Sequence, residues 1–140
     1  MRKVTVRRAT KLSSKKIWSL IINLNNYPNH VKFLKKIEFE KPLSMGSSFS
    51  DITTIAYIPI KIAHEVDIYE ENKRIGFFVK MPLFGFMKQR VEIEDKGLER
   101  IVNLTVEFDF QNKLLDIIFG KFLEKRVKEM LLYILDSENS

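Results

Sequence analysis

Only two histidines, His30 and His64, and no cysteine occur among the 140 residues of this chain. A zinc site or a histidine-based triad therefore has very little to draw on. His64 is the more informative of the two. Ile60, Ile62, His64, Val66 and Ile68 alternate with Lys61, Ala63, Glu65, Asp67 and Tyr69. A period of two predicts a strand, with His64 on its apolar side. Gln89 takes the same place between Met87 and Val91. Asp51 shares parity with Phe49, Thr53 and Tyr57, although both faces of that stretch are mixed. Polar groups on an apolar face need partners. A cavity for a mostly apolar ligand holds a few such groups to orient it. His64, Gln89, Asp51 and Tyr57 are thus the candidate ligand-orienting residues. The plainer reading is a core His and Gln satisfied by neighbours or water.

As an enzyme site the set is thin. His64, with Asp51 or Tyr57, is the one candidate for general acid–base work. No nucleophile motif, phosphate-cradling glycine loop or metal-ligand spacing occurs, so neither a cofactor nor a metal is expected.

These residues need elements to position them. The first strand covers residues 3–11, with Val4 and Val6 on one face. Ser13 or Ser14 then caps a short helix carrying Ile17, Trp18, Leu20 and Ile21. Asn25-Asn26 breaks it, and Tyr27-Pro28 opens a second short helical turn. Ile37 and Phe39 mark the second strand, residues 49–58 the third, and Pro59 interrupts before the strand of His64. Residues 74–81 are apolar on both faces, which predicts a strand covered twice or lying over a pocket. Two alternating strands follow, joined at Asp95-Lys96-Gly97. Residues 111–140 read as one long amphipathic helix, with an apolar stripe of Leu115, Ile118, Phe119, Phe122, Val127, Met130, Leu131 and Ile134. Gly120 inside it marks a bend, a close approach or a tolerated surface glycine.

Short connections between successive strands predict an antiparallel meander whose buried face the long helix covers. The fold class expected is α+β: about seven strands in the order β-α-α-β6-α, forming a single domain over residues 1–140. Phe77, Phe119, Phe122 and Met130 are then added to the candidate lining. Alternate turns of a meander share one end. Ile58 and Pro59 should therefore stand near Leu83, Phe84 and Phe86, and near Leu115 at the helix start. That end is an apolar rim, whereas turns are usually polar. It is expected to be a lid, a membrane contact, a dimer interface or simply an end cap of the core.

Several stretches resemble the helix-grip superfamily, which includes START lipid-transfer domains, birch-pollen-allergen-like proteins, bacterial aromatic polyketide cyclases and coenzyme Q-binding proteins. They are Ser14-Lys15-Lys16-Ile17-Trp18-Ser19-Leu20-Ile21, Asn26-Tyr27-Pro28-Asn29 and Met45-Gly46-Ser47-Ser48-Phe49. The resemblance covers the whole chain and rests more on element order than on any one motif. It implies a curved sheet round the C-terminal helix with an apolar cavity between them. It does not fix a ligand, because one fold hosts carriers, receptors and enzymes.

Charge is unevenly spread. The net charge is +6, yet residues 1–41 hold eleven Lys and Arg against two acids, about +9 by counting. Such a basic third suits an anionic membrane surface, an acidic partner or nucleic acid, or is a plain solvated face. Nucleic acid is the least supported, because no strand face interleaves aromatic and basic residues. The absence of cysteine and of a signal-peptide core leads to an expectation of a cytoplasmic protein. Three functions compete. The first is binding or transport of a hydrophobic small molecule, such as a lipid, quinone or polyketide-like aromatic. The second is a polyketide cyclase or dehydratase using His64. The third is an interaction module, a homodimer included, that uses the apolar rim.

Overall fold

In a computed structural model, residues 2–23, 34–38, 43–55, 58–81, 85–110 and 112–136 are described. Seven strands and two helices occupy them: β1 (Arg2–Thr10), α1 (Ser14–Ile22), β2 (Leu34–Glu38), β3 (Ser48–Ile55), β4 (Ile58–Glu70), β5 (Arg74–Met81), β6 (Gly85–Asp95), β7 (Arg100–Phe110) and α2 (Lys113–Asp136). The expected turn at Tyr27-Pro28 lies outside the described residues.

The strands form one antiparallel sheet in the order β1-β7-β6-β5-β4-β3-β2. Strands β2 to β7 run as the expected meander, and β1 adds to the far edge beside β7, with Val4 opposite Val106. One face alternates into the core: Val102, Leu104, Val106, Phe108 and Phe110 of β7 are buried, as are Met87 and Val91 of β6. With a single sheet, the face turned toward the helices is the one that excludes water, so alternation is strict where the core lies.

Helix α1 is capped by Ser13, whose Oγ accepts from the Lys16 backbone N–H at 3.1 Å. Its buried residues are Ile17, Trp18 and Ile21, spaced for one face. Trp18 meets Tyr69 edge-on, with ring centroids 5.4 Å apart. The sequence pattern places Tyr69 outward, and a bulge explains the reversal. The register of β4 on β5 shifts between Val66 and Ile68, so that Ile68 faces Gly76 and Tyr69 faces the fully buried Ile75. One extra residue flips every side chain beyond it.

Two further expectations are corrected. Pro59 does not break a strand; it lies within β4 opposite Thr54. Among the described residues the register of β4 with β5 begins at His64, so a missing N–H costs the described ladder little at that end. Among the described residues no second layer covers the outer face of strand β5. Ile75, Phe77 and Val79 face inward, and Phe78 stacks on Phe86 of the outer face with centroids 6.0 Å apart. An aromatic pair on the outside, rather than a second layer, makes the strand apolar on both faces.

Helix α2 lies against β7, β1 and α1. Of the expected stripe only the side chain of Ile118 is among the described ones, and it is exposed rather than buried. Leu114, Ile117 and Ile118 are exposed, while Gly120 and Arg126 are buried. Apolar residues crowd all sides of its first turns, so the sequence leaves the phase ambiguous. Among the described residues no helix is long and apolar enough to cross a membrane.

Candidate functional site

Strand β3 turns Phe49, Asp51 and Thr53 inward, and β4 turns Ile62, His64 and Val66 to the same side. The register sets Phe49 opposite His64 and Asp51 opposite Ile62. Asp51 is thus diagonal to His64, within reach of a ring nitrogen. His64 Nε2 stands 2.6 Å from Asp51 Oδ2. Thr53 Oγ1 donates to Asp51 Oδ1 at 2.7 Å. From α2, Arg126 Nη2 donates to Asp51 Oδ2 at 3.3 Å. All four residues are buried. The cluster ties the terminal helix to the inner face of the sheet.

Aromatic rings enclose the imidazole. Phe49 stacks on it, with centroids 4.6 Å apart and planes 4° from parallel. Phe77 meets it edge-on at 6.4 Å and Phe49 edge-on at 5.5 Å. Gln89 lies opposite Phe77 on the next strand. It shares the inner parity of Met87 and Val91, and is half-buried.

The electrostatics follow from this packing. Burial works to raise the pKa of Asp51. It is outweighed by the His64 hydrogen bond, the Arg126 charge, the His64 charge and the Thr53 hydroxyl, which together hold the carboxyl below its ordinary value. An ionised carboxylate only accepts, so the Nε2 facing it carries the proton. The other ring nitrogen, Nδ1, is buried and has no partner among the described residues. A histidine oriented by a carboxylate through one nitrogen, with the second nitrogen unused, can accept a hydrogen bond or a proton.

Of the residues singled out from sequence, His64, Asp51 and Phe77 come together, with Gln89 one strand away. Pro59 is exposed at the end where α2 begins. Phe86 stands on the outer face rather than over the inner one. Tyr57, Leu83 and Phe84 lie outside the described residues, as do the side chains of Ile58, Leu115, Phe119, Phe122 and Met130. Arg126 was not singled out. Its signal lies in its spacing: it falls four residues after Phe122 and four before Met130, a charge on an otherwise apolar helical row. Among the described residues, no three His, Cys, Asp or Glu side chains converge to hold a metal.

No family model matches the chain, and no curated protein matches its sequence. Solved structures do match, over nearly its whole length. An aromatase/cyclase from Streptomyces sp. R1128 superposes with a TM-score of 0.84 at 12% identity, covering 97% of this chain and 92% of that one. A START superfamily protein from Mycobacterium smegmatis gives 0.74 at 15% identity, covering 96% and 97%. Norcoclaurine synthase from Thalictrum flavum, in complex with dopamine and hydroxybenzaldehyde, gives 0.75 at 10% identity, covering 96% and 84%. The chain has the helix-grip fold these structures share. At such identities the likeness extends to the fold alone.

Proposed function

We propose that this chain binds a hydrophobic small molecule between the inner face of the sheet and α2. The His64–Asp51–Arg126 cluster forms the polar end of that otherwise apolar site. The observation that carries this reading is the cluster itself. Three polar side chains from β3, β4 and α2 are buried together beside Phe49 and Phe77. A buried ionic cluster is weak evidence for stability, because an apolar substitute of equal volume often does as well. A few fixed polar groups among aromatic walls are what orientation of an apolar ligand requires. A protein of the same fold whose structure holds dopamine and hydroxybenzaldehyde supports the choice of ligand class. Titration with Nile red, an apolar dye without a hydrogen-bond donor, tests it. Saturable fluorescence enhancement at one dye per chain is expected, together with co-purified ligand in native mass spectra. A chain that binds no dye and carries no ligand would be a solid core instead.

A membrane contact is the second part of the reading. Leu114, Ile117 and Ile118 are exposed on α2, on one helical face with the exposed Lys121. Apolar side chains flanked by a cation suit an anionic lipid surface. Co-sedimentation with phosphatidylserine vesicles is expected and should fall in Ile117→Glu. Equal pelleting of both proteins would remove α2 from the contact.

A cyclase or dehydratase with His64 as acid/base remains the enzymatic alternative, favoured by the 2.6 Å approach of His64 to Asp51. A His64→Ala variant with full turnover of an identified substrate would exclude it.

A further inference from the structure

His64 Nδ1 is the one polar atom of the cluster left without a partner among the described residues, and it is closed to water as well. Everything else about the ring is fixed. Nε2 faces Asp51 at 2.6 Å, Phe49 covers one face, and Phe77 stands edge-on. The side chain is 3% exposed. Buried polar atoms are paired in native structures with few exceptions, and each exception calls for a cause. The Asp51 carboxylate already receives hydrogen bonds from Thr53, His64 and Arg126. The Nε2 that faces this carboxylate carries the imidazole proton. In that tautomer Nδ1 is an acceptor lone pair without a partner among the described residues.

We propose that Nδ1 is the recognition point for a ligand hydroxyl, so that the site selects apolar molecules carrying one hydrogen-bond donor over hydrocarbons and ethers of the same shape. This inference rests on the ligand-binding reading and adds the ligand's polar chemistry to it. Asp51 and Arg126 are positioning residues: they hold the proton on Nε2 and so keep Nδ1 an acceptor. A donor arriving on a ligand meets no competing water at Nδ1, which strengthens the preference. Reaching Nδ1 requires the packing over that edge to part. Helix α2, which brings Arg126 across the cluster, is the element placed to move.

The test is displacement of Nile red by 2-naphthol and by 2-methylnaphthalene, which are alike in shape. A wholly apolar pocket favours the hydrocarbon, because the naphthol hydroxyl loses its water. An acceptor at Nδ1 reverses the order, with an expected preference for 2-naphthol of about tenfold. His64→Gln keeps a donor toward Asp51 and removes the second nitrogen, so it should bind Nile red and lose the preference. An independent readout is the imidazole nitrogen spectrum of the wild-type protein, which contains two histidines, His30 and His64. The His64 Nδ1 resonance should be that of an unprotonated nitrogen and should shift on adding 2-naphthol but not 2-methylnaphthalene. Nile red binding without naphthol preference, a preference that survives in His64→Gln, or an unmoved Nδ1 resonance overturns this inference alone. Absence of Nile red binding overturns the ligand-binding reading, and this inference with it.

Discussion

Arg126 and Asp51 are 75 residues apart in the chain, yet Arg126 Nη2 lies 3.3 Å from Asp51 Oδ2. The pair is buried at both ends. Removing one partner leaves the other charge without compensation in a medium that solvates it poorly. Arg126→Met is therefore expected to cost about 3–5 kcal/mol. The double variant Arg126→Met/Asp51→Asn should recover part of that loss, since no charge is then left in the cluster. Urea unfolding followed by the fluorescence of Trp18, the single tryptophan, gives the numbers. A cost under about 1 kcal/mol for Arg126→Met would mean that the guanidinium reaches water and does not tie α2 to the sheet.

Acid should loosen the same tie. The Asp51 pKa is depressed in the folded chain, because the gains from His64, Arg126 and Thr53 outweigh the burial that opposes them. A depressed carboxyl stabilises the fold above its unfolded pKa, about 3.9. That contribution is lost as pH falls through the lower folded value. The stability difference between wild type and Asp51→Asn should thus be flat above about pH 5 and shrink below about pH 4. A difference that stays constant into stronger acid would remove Asp51 from the acid response.

How far the site was legible depends on the range of the interaction that makes it. His64 and Gln89 could be placed on the inner face because a strand with one buried side alternates strictly, and each residue reports its own parity; Asp51 could not, because both faces of its stretch are mixed. The bulge after Val66 was not legible. Ile68 and Tyr69 are both apolar, so neither phase is penalised in the sequence, and Trp18 decides for Tyr69. The pairing of Arg126 with Asp51 was illegible for a different reason. Asp51 lies on β3, and only the docking of α2 brings them together. The same holds for β1, whose place beside β7 depends on which sheet edge the chain returns to. In α2, Ile118 was expected inside and stands exposed, since Leu114, Ile117 and Ile118 offer the core no more than the other apolar side.

Gly85 and Gly97 make a pair of contrasting turn variants. Gly85 has φ +122, and a Cβ there would lie 1.9 Å from the Asp109 carbonyl oxygen. Gly97 has φ +90, but a Cβ there would meet nothing within 4 Å. Gly97→Ala should cost only the left-handed strain, about 1–2 kcal/mol. Gly85→Ala must also push β6 off β7 at the end where α2 begins, with an expected cost above about 3 kcal/mol. Thermal unfolding of both variants checks the order. Equal losses would show that the β6–β7 end yields without resistance.

On the outer face, Arg90 lies across Gly76. Its Nη2 donates to Asp67 Oδ2 at 2.9 Å, and its Nη1 donates to the carbonyls of Gln89 at 2.9 Å and Phe77 at 3.4 Å. The guanidinium thus braces, from behind, the two strands that present Phe77 and Gln89 to the inner face. A Cβ on Gly76 would stand 2.7 Å from both Arg90 Nη1 and Asp67 Oδ1, so alanine there must lift the arginine away. Glycine inside a strand otherwise costs about 0.5–1 kcal/mol relative to alanine. The sign of Gly76→Ala should therefore depend on residue 90. In the wild-type background it destabilises, because it breaks the brace. In an Arg90→Ala background the brace is already gone, the Asp67 carboxylate is free to turn away, and Gly76→Ala becomes neutral or stabilising. A double-mutant cycle by urea unfolding should give a coupling of about 1–3 kcal/mol. Additive effects would mean that the Arg90 side chain moves aside without loss and supports nothing beneath it.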